Sequence, residues 1–370
     1  MSLLGPSALL LGFAALADGA WFERHVVLPA VYPPPPVWTL PALRLAAAAI
    51  GLVLAACAVA AGRRATPAAL ARVALSIALS VCASEPALRI LHRVLPVPET
   101  RIEARLAAPD ARTGWAFVPG RSLDLPAPGG GRMIRYSIDV HGDRAASAEW
   151  VEDPLAPTLL VAGESIATGH GLLWNETFAA RLGEMLQVQV VDVAEGGYGS
   201  DQAHLRTVDA LARLAHPIAV VTTVLPVQLY RNLHDDRPHL VLRDGVLLLA
   251  PASDSRLRLR QFLVNDLPYL GEAGLEKSLT LTHAILHATA AAARARGAKP
   301  LFVVPSFGSP RPLDAHPEAF ILRPLLDDLP HIVVDIDPAH LLPGDGHPDP
   351  EGARQIAAAI AEALATQAPR

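Results

Sequence analysis

The chain has 370 residues and a net charge of -5, and it is 51% apolar, 5% aromatic and 18% charged. The charged share lies below the usual share of about a quarter, and no run of Lys or Arg supplies the basic patch a nucleic-acid partner needs. Its two cysteines, Cys57 and Cys82, leave no disulfide framework and no cysteine-based metal site.

Apolar residues crowd the first quarter of the chain in three stretches. The first runs from Leu3 to Trp21 with Asp18 as its charge. It lacks the basic start of a signal peptide, and another span follows it. The second runs from Leu40 to Gly62 and carries Arg44 near its start. At ~1.5 Å per residue it is long enough to cross a hydrocarbon core of ~30 Å. The third, Pro67 to Ile90, is interrupted by Arg72, Glu85 and Arg89. Its uncharged centre is short for a span, so it reads either as a crossing helix or as an interfacial one. Residues 1–95 are therefore expected to form a membrane anchor of two or three transmembrane helices, with the lipid bilayer as partner. Arg63, Arg64 and Arg72 flank the connection between the second and third stretches, which the positive-inside rule places in the cytoplasm. If the third stretch crosses, the rest of the chain lies on the extracytoplasmic side of the inner membrane, which is the placement expected here. If it does not cross, that part is cytoplasmic.

Residues 96–155 read as a β-rich preface, with a short alternating stretch from Met133 to Val140. From Thr158 onward, apolar runs alternate with helical patterns. Strands are expected at 158–162, 188–193, 218–225, 300–305 and 331–336. Helices are expected from an Asn175 cap through Leu186, at 202–214, at 281–296, and after Asp349 and Pro350, which supply a cap and a first-turn proline. Phe178, Leu182 and Met185 fall on one face of the first of these. Such alternation predicts an α/β domain over 156–370, a parallel sheet covered by helices on both faces. An insertion at 229–265 contains Arg243-Asp244-Gly245, a hairpin turn signal.

Three loops carry residues suited to chemistry. Ser165 follows the first strand in Gly163-Glu164-Ser165, where a hydroxyl can face a cleft. A serine is a weak nucleophile and needs an adjacent base. Asp345-Gly346-His347 precedes the last helix, so an acid and a base enter one cleft from one short loop. There His347 can accept a proton from Ser165 while Asp345 fixes its tautomer. Between them, Asp192-Val193-Ala194-Glu195-Gly196-Gly197-Tyr198-Gly199 permits close backbone approach, and the Gly197 amide is a candidate oxyanion donor.

In that order along the chain, these loops resemble the blocks of the SGNH (GDSL-like) hydrolase superfamily. Gly163-Glu164-Ser165 resembles its Gly-Asp-Ser block, and Asp192 to Gly197 its Asn-x-Gly/Ser-x-x-Gly block. Asp345-Gly346-His347-Pro348-Asp349-Pro350-Glu351-Gly352 resembles its Asp-Gly-His-x-Asn-Pro-Glu-Gly block. The segments Thr113-Gly114-Trp115 and Tyr136 to Arg144 are similar to the preface of membrane-anchored members. The resemblance implies a flavodoxin-like sheet, a Ser165–His347–Asp345 triad, and oxyanion donors at the amides of Ser165 and Gly197. It also implies action on acyl esters, including those of cell-envelope polysaccharides, by hydrolysis or acyl transfer. The departure that matters is Val227, which falls where the family has an oxyanion asparagine. Gln228 and Asn232 are the side chains placed to replace it or to touch substrate. The alternative function is a catalytically inactive SGNH-like module that binds a glycan or a partner protein.

No cofactor is expected. There is no P-loop, and Gly196-Gly197-Tyr198-Gly199 lacks the dinucleotide spacing. His283 and His287 have the i,i+4 spacing of metal ligands but no acidic neighbour in sequence, and they read as a helix face. His234, Asp235, Asp236 and His239 read as a solvated loop, so no metal site is expected.

Overall fold

A computed structural model describes residues 4–16, 39–62, scattered positions between 68 and 90, 105–253, 257, 272–307 and 319–366. The chain divides into two units, Met1–Pro98 with Ser255–Glu272, and Glu99–Asp254 with Ala273–Arg370. Each is described by itself.

In the first unit, helix Leu4–Leu16 packs against helix Thr39–Gly62. The stretch Pro41–Ala60 has a mean hydropathy of 2.2 and is long and apolar enough to cross a membrane. Leu43, Leu45, Leu52, Val53 and Val59 of this helix point outward, each more than half exposed. Ser7 Oγ donates to the Gly51 carbonyl at 2.8 Å, and Arg44 Nε to that of Ala14 at 2.9 Å. A Cβ at Gly51 would stand 3.0 Å from Leu11 Cγ, so the small residue sets the helix approach. The expected crossing of 67–90 falls largely outside the described residues.

The second unit is built on an eight-stranded sheet. Its strands, with the two hairpins beside it, are β1 (Ala107–Asp110), β2 (Gly114–Phe117), β3 (Ser122–Pro126), β4 (Met133–Ile138), β5 (Arg144–Ala145), β6 (Thr158–Ala162), β7 (Gln189–Asp192), β8 (Pro217–Thr223), β9 (His239–Arg243), β10 (Val246–Ala250), β11 (Lys299–Phe307) and β12 (His331–Ile336). The sheet order is β12-β11-β8-β6-β7-β5-β4-β3. Strands β6, β7, β8, β11 and β12 are parallel, in the doubly wound order in which the first strand lies between the second and third. Strands β3 to β5 extend the β7 edge antiparallel, joined to it where Arg144 faces Asp192. The preface residues are thus part of the sheet that carries the α/β domain.

Side-chain alternation explains the layers. Leu159 and Val161 of β6 pack with Phe178 and Leu182 of helix Phe178–Leu186 and with Ile356 and Ile360 of helix Pro350–Thr366. Leu160 and Ala162 point the other way, to Ala210 and Leu211 of helix Ser200–Arg213 and Ala293 of helix Glu272–Ala295. Both faces of the parallel sheet are therefore covered, as the continuous apolar runs require.

Some local readings change. The first of these helices is capped by Thr177, whose Oγ1 accepts from Ala180 N at 3.1 Å. Asn175 sits one turn earlier, in a 3-10 turn, because Thr177 is the residue with extended backbone. Met185 is 46% exposed, since the helix buries a narrower stripe than its period allows. The helix expected at 281 starts at Glu272. Asp349 caps the last helix as read, accepting from the amides of Glu351 and Gly352 at 2.8 Å each. In the insertion, Asp244 and Gly245 (φ 51° and 76°) turn β9 into β10, the mirror-image turn that matches strand twist.

Candidate active site

The candidate residues collect beyond the carboxyl ends of the parallel strands, where β6 meets its neighbours β7 and β8. Gly163 leaves β6 with φ 147°, and a Cβ there would lie 1.9 Å from Thr223 Oγ1. Only glycine lets the chain pass β8 this closely and turn Ser165 outward. From Thr158 to Leu172, Ser165 alone is partly exposed; from Val190 to Ala203, Gly197 alone is. Glu195 N donates to Gly163 O at 3.4 Å, which ties the second loop to the first.

His347 Nε2 lies 2.7 Å from Ser165 Oγ, and His347 Nδ1 is bonded to Asp345 Oδ1. Because the carboxylate only accepts, Nδ1 carries the hydrogen and Nε2 is left to accept from the hydroxyl. The loop that holds this pair is closed on itself. Leu342 N donates to His347 O at 2.7 Å, and Asp349 N to His340 O at 3.0 Å. Burial opposes the Asp345 charge, but hydrogen bonds from His170 and His347 outweigh it and hold the carboxyl well below its ordinary range. Ser165 Oγ also donates to Glu164 Oε2 at 2.7 Å. One hydroxyl proton thus faces two acceptors at equal distance, and rotation about the Cβ–Oγ bond moves it from Glu164 to His347.

Reading the sequence missed His170. Its Nε2 stands 3.4 Å from Asp345 Oδ2, and its ring lies 4.4 Å from that of His347. Missed as well was what the preface does. Arg144 is fully buried and donates to the carbonyls of Thr168, Gly169 and Leu172, with its guanidinium 4.2 Å from the Tyr136 ring centre. Tyr136 Oη accepts from Gly171 N at 2.7 Å. The other loop is held by β2. Glu195 Oε2 accepts from Phe117 N at 3.0 Å, and Tyr198 Oη donates to Trp115 O at 2.9 Å. Asp192, behind that loop, accepts from Ala194 N at 3.0 Å; burial pushes its carboxyl well above the ordinary range, against the opposing pull of that bond and of Arg144.

Gln228 and Asn232 are committed elsewhere. Gln228 is buried, accepts from Ser200 Oγ and Leu225 N at 3.2 Å each, and donates to Thr223 O at 3.5 Å. Asn232, also buried, accepts from Asp201 N at 3.3 Å and donates to Thr282 Oγ1 at 2.7 Å. Both fasten helix Val227–Arg231 to its surroundings, so neither amide is spare for an oxyanion. Arg231 donates to Tyr198 O at 3.1 Å, and Arg237 grips Asp201 through two bonds of 2.8 and 2.9 Å. His283 and His287 do have an acidic neighbour, Asp328, at 3.5 and 2.9 Å, brought in from a distant turn. Those three residues, and His170, Asp345 and His347, each place ligand atoms within 4.8 Å of one another.

No family model matches the chain, and no curated protein does. Solved structures do. An acetyl xylan esterase (Est2A) from the rumen bacterium Butyrivibrio proteoclasticus is similar at 12% identity over 57% of this chain and 64% of that one, with a TM-score of 0.35. This chain therefore spans under two thirds of that enzyme's own length. A member of the lipolytic G-D-S-L family from Veillonella parvula is similar at 11% identity over 56% of this chain and 97% of that one, with a TM-score of 0.32. A carbohydrate esterase family 2 enzyme from Corynascus thermopiles (Myceliophthora fergusii) is similar at 16% identity over 65% and 74%, with a TM-score of 0.36.

Proposed function

We propose that this chain is an SGNH-type serine esterase or O-acyltransferase for acyl esters of glycans, held at the inner membrane by its N-terminal helices with its catalytic unit outside the cytoplasm. The observation that carries the chemistry is the bonded line from Ser165 through His347 to Asp345. Ser165 Oγ attacks the ester carbonyl carbon while His347 Nε2 takes the hydroxyl proton. The amides of Ser165 and Gly197 donate to the oxygen that gains charge. Collapse expels the alcohol, which leaves with the proton from His347, and the acyl group stays on Ser165. Water, or a second sugar hydroxyl, then attacks by the reverse sequence. The glycan class rests on the sequence resemblance, and the anchoring on the apolar stretch Pro41–Ala60.

A second reading, a binding module without turnover, is favoured by Val227 and by the commitment of Gln228 and Asn232. Loss of one oxyanion donor costs on the order of 10²–10³ in rate and leaves the remaining catalysis in place, so the catalytic reading stands ahead.

The full-length chain in detergent is expected to release acetate from 4-nitrophenyl acetate and to change the O-acetyl content of acetylated oligosaccharides, read by mass spectrometry. Loss of acetyl without a new acetylated product indicates hydrolysis; its appearance on an added acceptor indicates transfer. No turnover of either substrate by folded protein supports the binding module instead.

A further inference from the structure

His170 lies outside the expected triad, yet the site is built around it. It sits between Gly169 and Gly171, both at φ 73°. A Cβ at Gly169 would lie 2.4 Å from Thr177 Cγ2, and one at Gly171 would lie 2.5 Å from Leu342 Cδ1. The backbone therefore takes a path that only glycine tolerates, and that path delivers the imidazole. The His170 amide donates to Ser165 O at 2.9 Å, which ties this residue to the candidate nucleophile. Arg144 and Tyr136 fix the same loop from behind. The ring itself is 5% exposed, which is deep for an imidazole.

We infer that His170 is a positioning residue that holds the second oxygen of the Asp345 carboxylate, beside the one His347 uses. Asp345 offers two oxygens. Oδ1 accepts from His347 Nδ1, and Oδ2 faces His170 Nε2 at 3.4 Å. A carboxylate held at one oxygen can pivot about its Cβ–Cγ bond; held at both, it cannot. His347 inherits that rigidity, and its own ring is backed by the His170 ring 4.4 Å away. With Nδ1 of His347 fixed, Nε2 stays aimed at Ser165 Oγ. A misplacement of about 1 Å at such a contact can cost on the order of a hundredfold in rate. His170 needs only an N–H aimed at Oδ2, so it acts as a donor and takes no proton from substrate. This role rests on the esterase reading above.

The test compares His170→Phe, which keeps a ring and removes the donor, with His170→Gln, which keeps an N–H near the Nε2 position. Ser165→Ala is run beside them on 4-nitrophenyl acetate with the full-length chain. The Phe variant is expected to lower kcat by about tenfold to a hundredfold, with KM within about twofold, and to slow fluorophosphonate labelling in proportion. The Gln variant is expected to regain most of that loss. A Phe variant with wild-type kcat, while Ser165→Ala is inactive, overturns the positioning role and leaves the esterase reading intact. Equal losses in Phe and Gln, tracking an equal fall in Tm, reduce His170 to packing and also overturn it. Activity that survives Ser165→Ala refutes the site itself, and the role of His170 falls with it.

Discussion

Ser165→Ala and His347→Ala are each expected to lower kcat for ester hydrolysis by about 10⁴-fold or more, with the double variant no worse than the weaker single one. The two residues act as a unit: the hydroxyl is nucleophilic only while Nε2, 2.7 Å away, takes its proton. Removing either partner removes the same step, so their effects do not add. Asp345→Asn is expected to cost about 10⁴-fold, because the amide sets a donor beside His347 and His170 where the carboxylate only accepts, and it carries no charge to stabilise the imidazolium. The wild-type carboxyl sits well below its ordinary range, so it stays ionised wherever the protein is handled, and an acid limb in the kcat profile has no contribution from it. For stability the sign is the same. A depressed carboxyl contributes above its unfolded value of about 4 and loses that contribution as pH falls. Additive losses in the Ser165/His347 double variant would mean that the two residues act independently, contrary to the bonded line.

Arg144→Met is expected to be among the most destabilising single changes in the second unit, by about 3–5 kcal/mol. The guanidinium is 1% exposed and serves three carbonyls. Methionine fills part of the volume but donates nothing, so the carbonyls of Thr168 and Leu172 lose the guanidinium in a place water does not reach, while that of Gly169 keeps the Leu172 amide at 3.1 Å. Asp192, which feels the Arg144 charge, is left without its nearest cation. Because these bonds hold the loop that carries His170, the change should reach the site as well. Urea denaturation measures the stability loss. Amide hydrogen exchange over 168–172 measures the local loss, and faster exchange there than in β11 is the expected pattern. An unchanged midpoint with unchanged exchange would show that the preface does not brace the site.

The parallel strands were legible because buried strands are continuous apolar runs; β12 falls where its run of Ile332, Val333 and Val334 places it. The last helix was legible from Asp349 and Pro350, a cap that works through local chemistry alone. The hairpin turn at Asp244-Gly245 was legible for the same reason. Contacts between distant segments were not. His170 gains meaning only when the loop after β6 meets the loop after β12, and nothing adjacent to either announces the other. Asp328 meets His283 and His287 in the same non-local way. Arg144 is buried because backbone carbonyls, which no side-chain pattern records, turn toward it. Gln228 and Asn232 were placed near the cleft by sequence offset, but helix Val227–Arg231 turns their amides toward Thr223 and Thr282.

The most direct measurement is fluorophosphonate labelling of the full-length chain in detergent, wild type against Ser165→Ala. Such a probe reports a serine whose hydroxyl is deprotonated on attack, with no assumption about substrate. Stoichiometric labelling of the wild type that vanishes in the variant, with the adduct mapped to Ser165, is the predicted result. Folded wild-type protein that takes up no label would contradict an activated serine beside His347 and would leave the binding module as the function of this site.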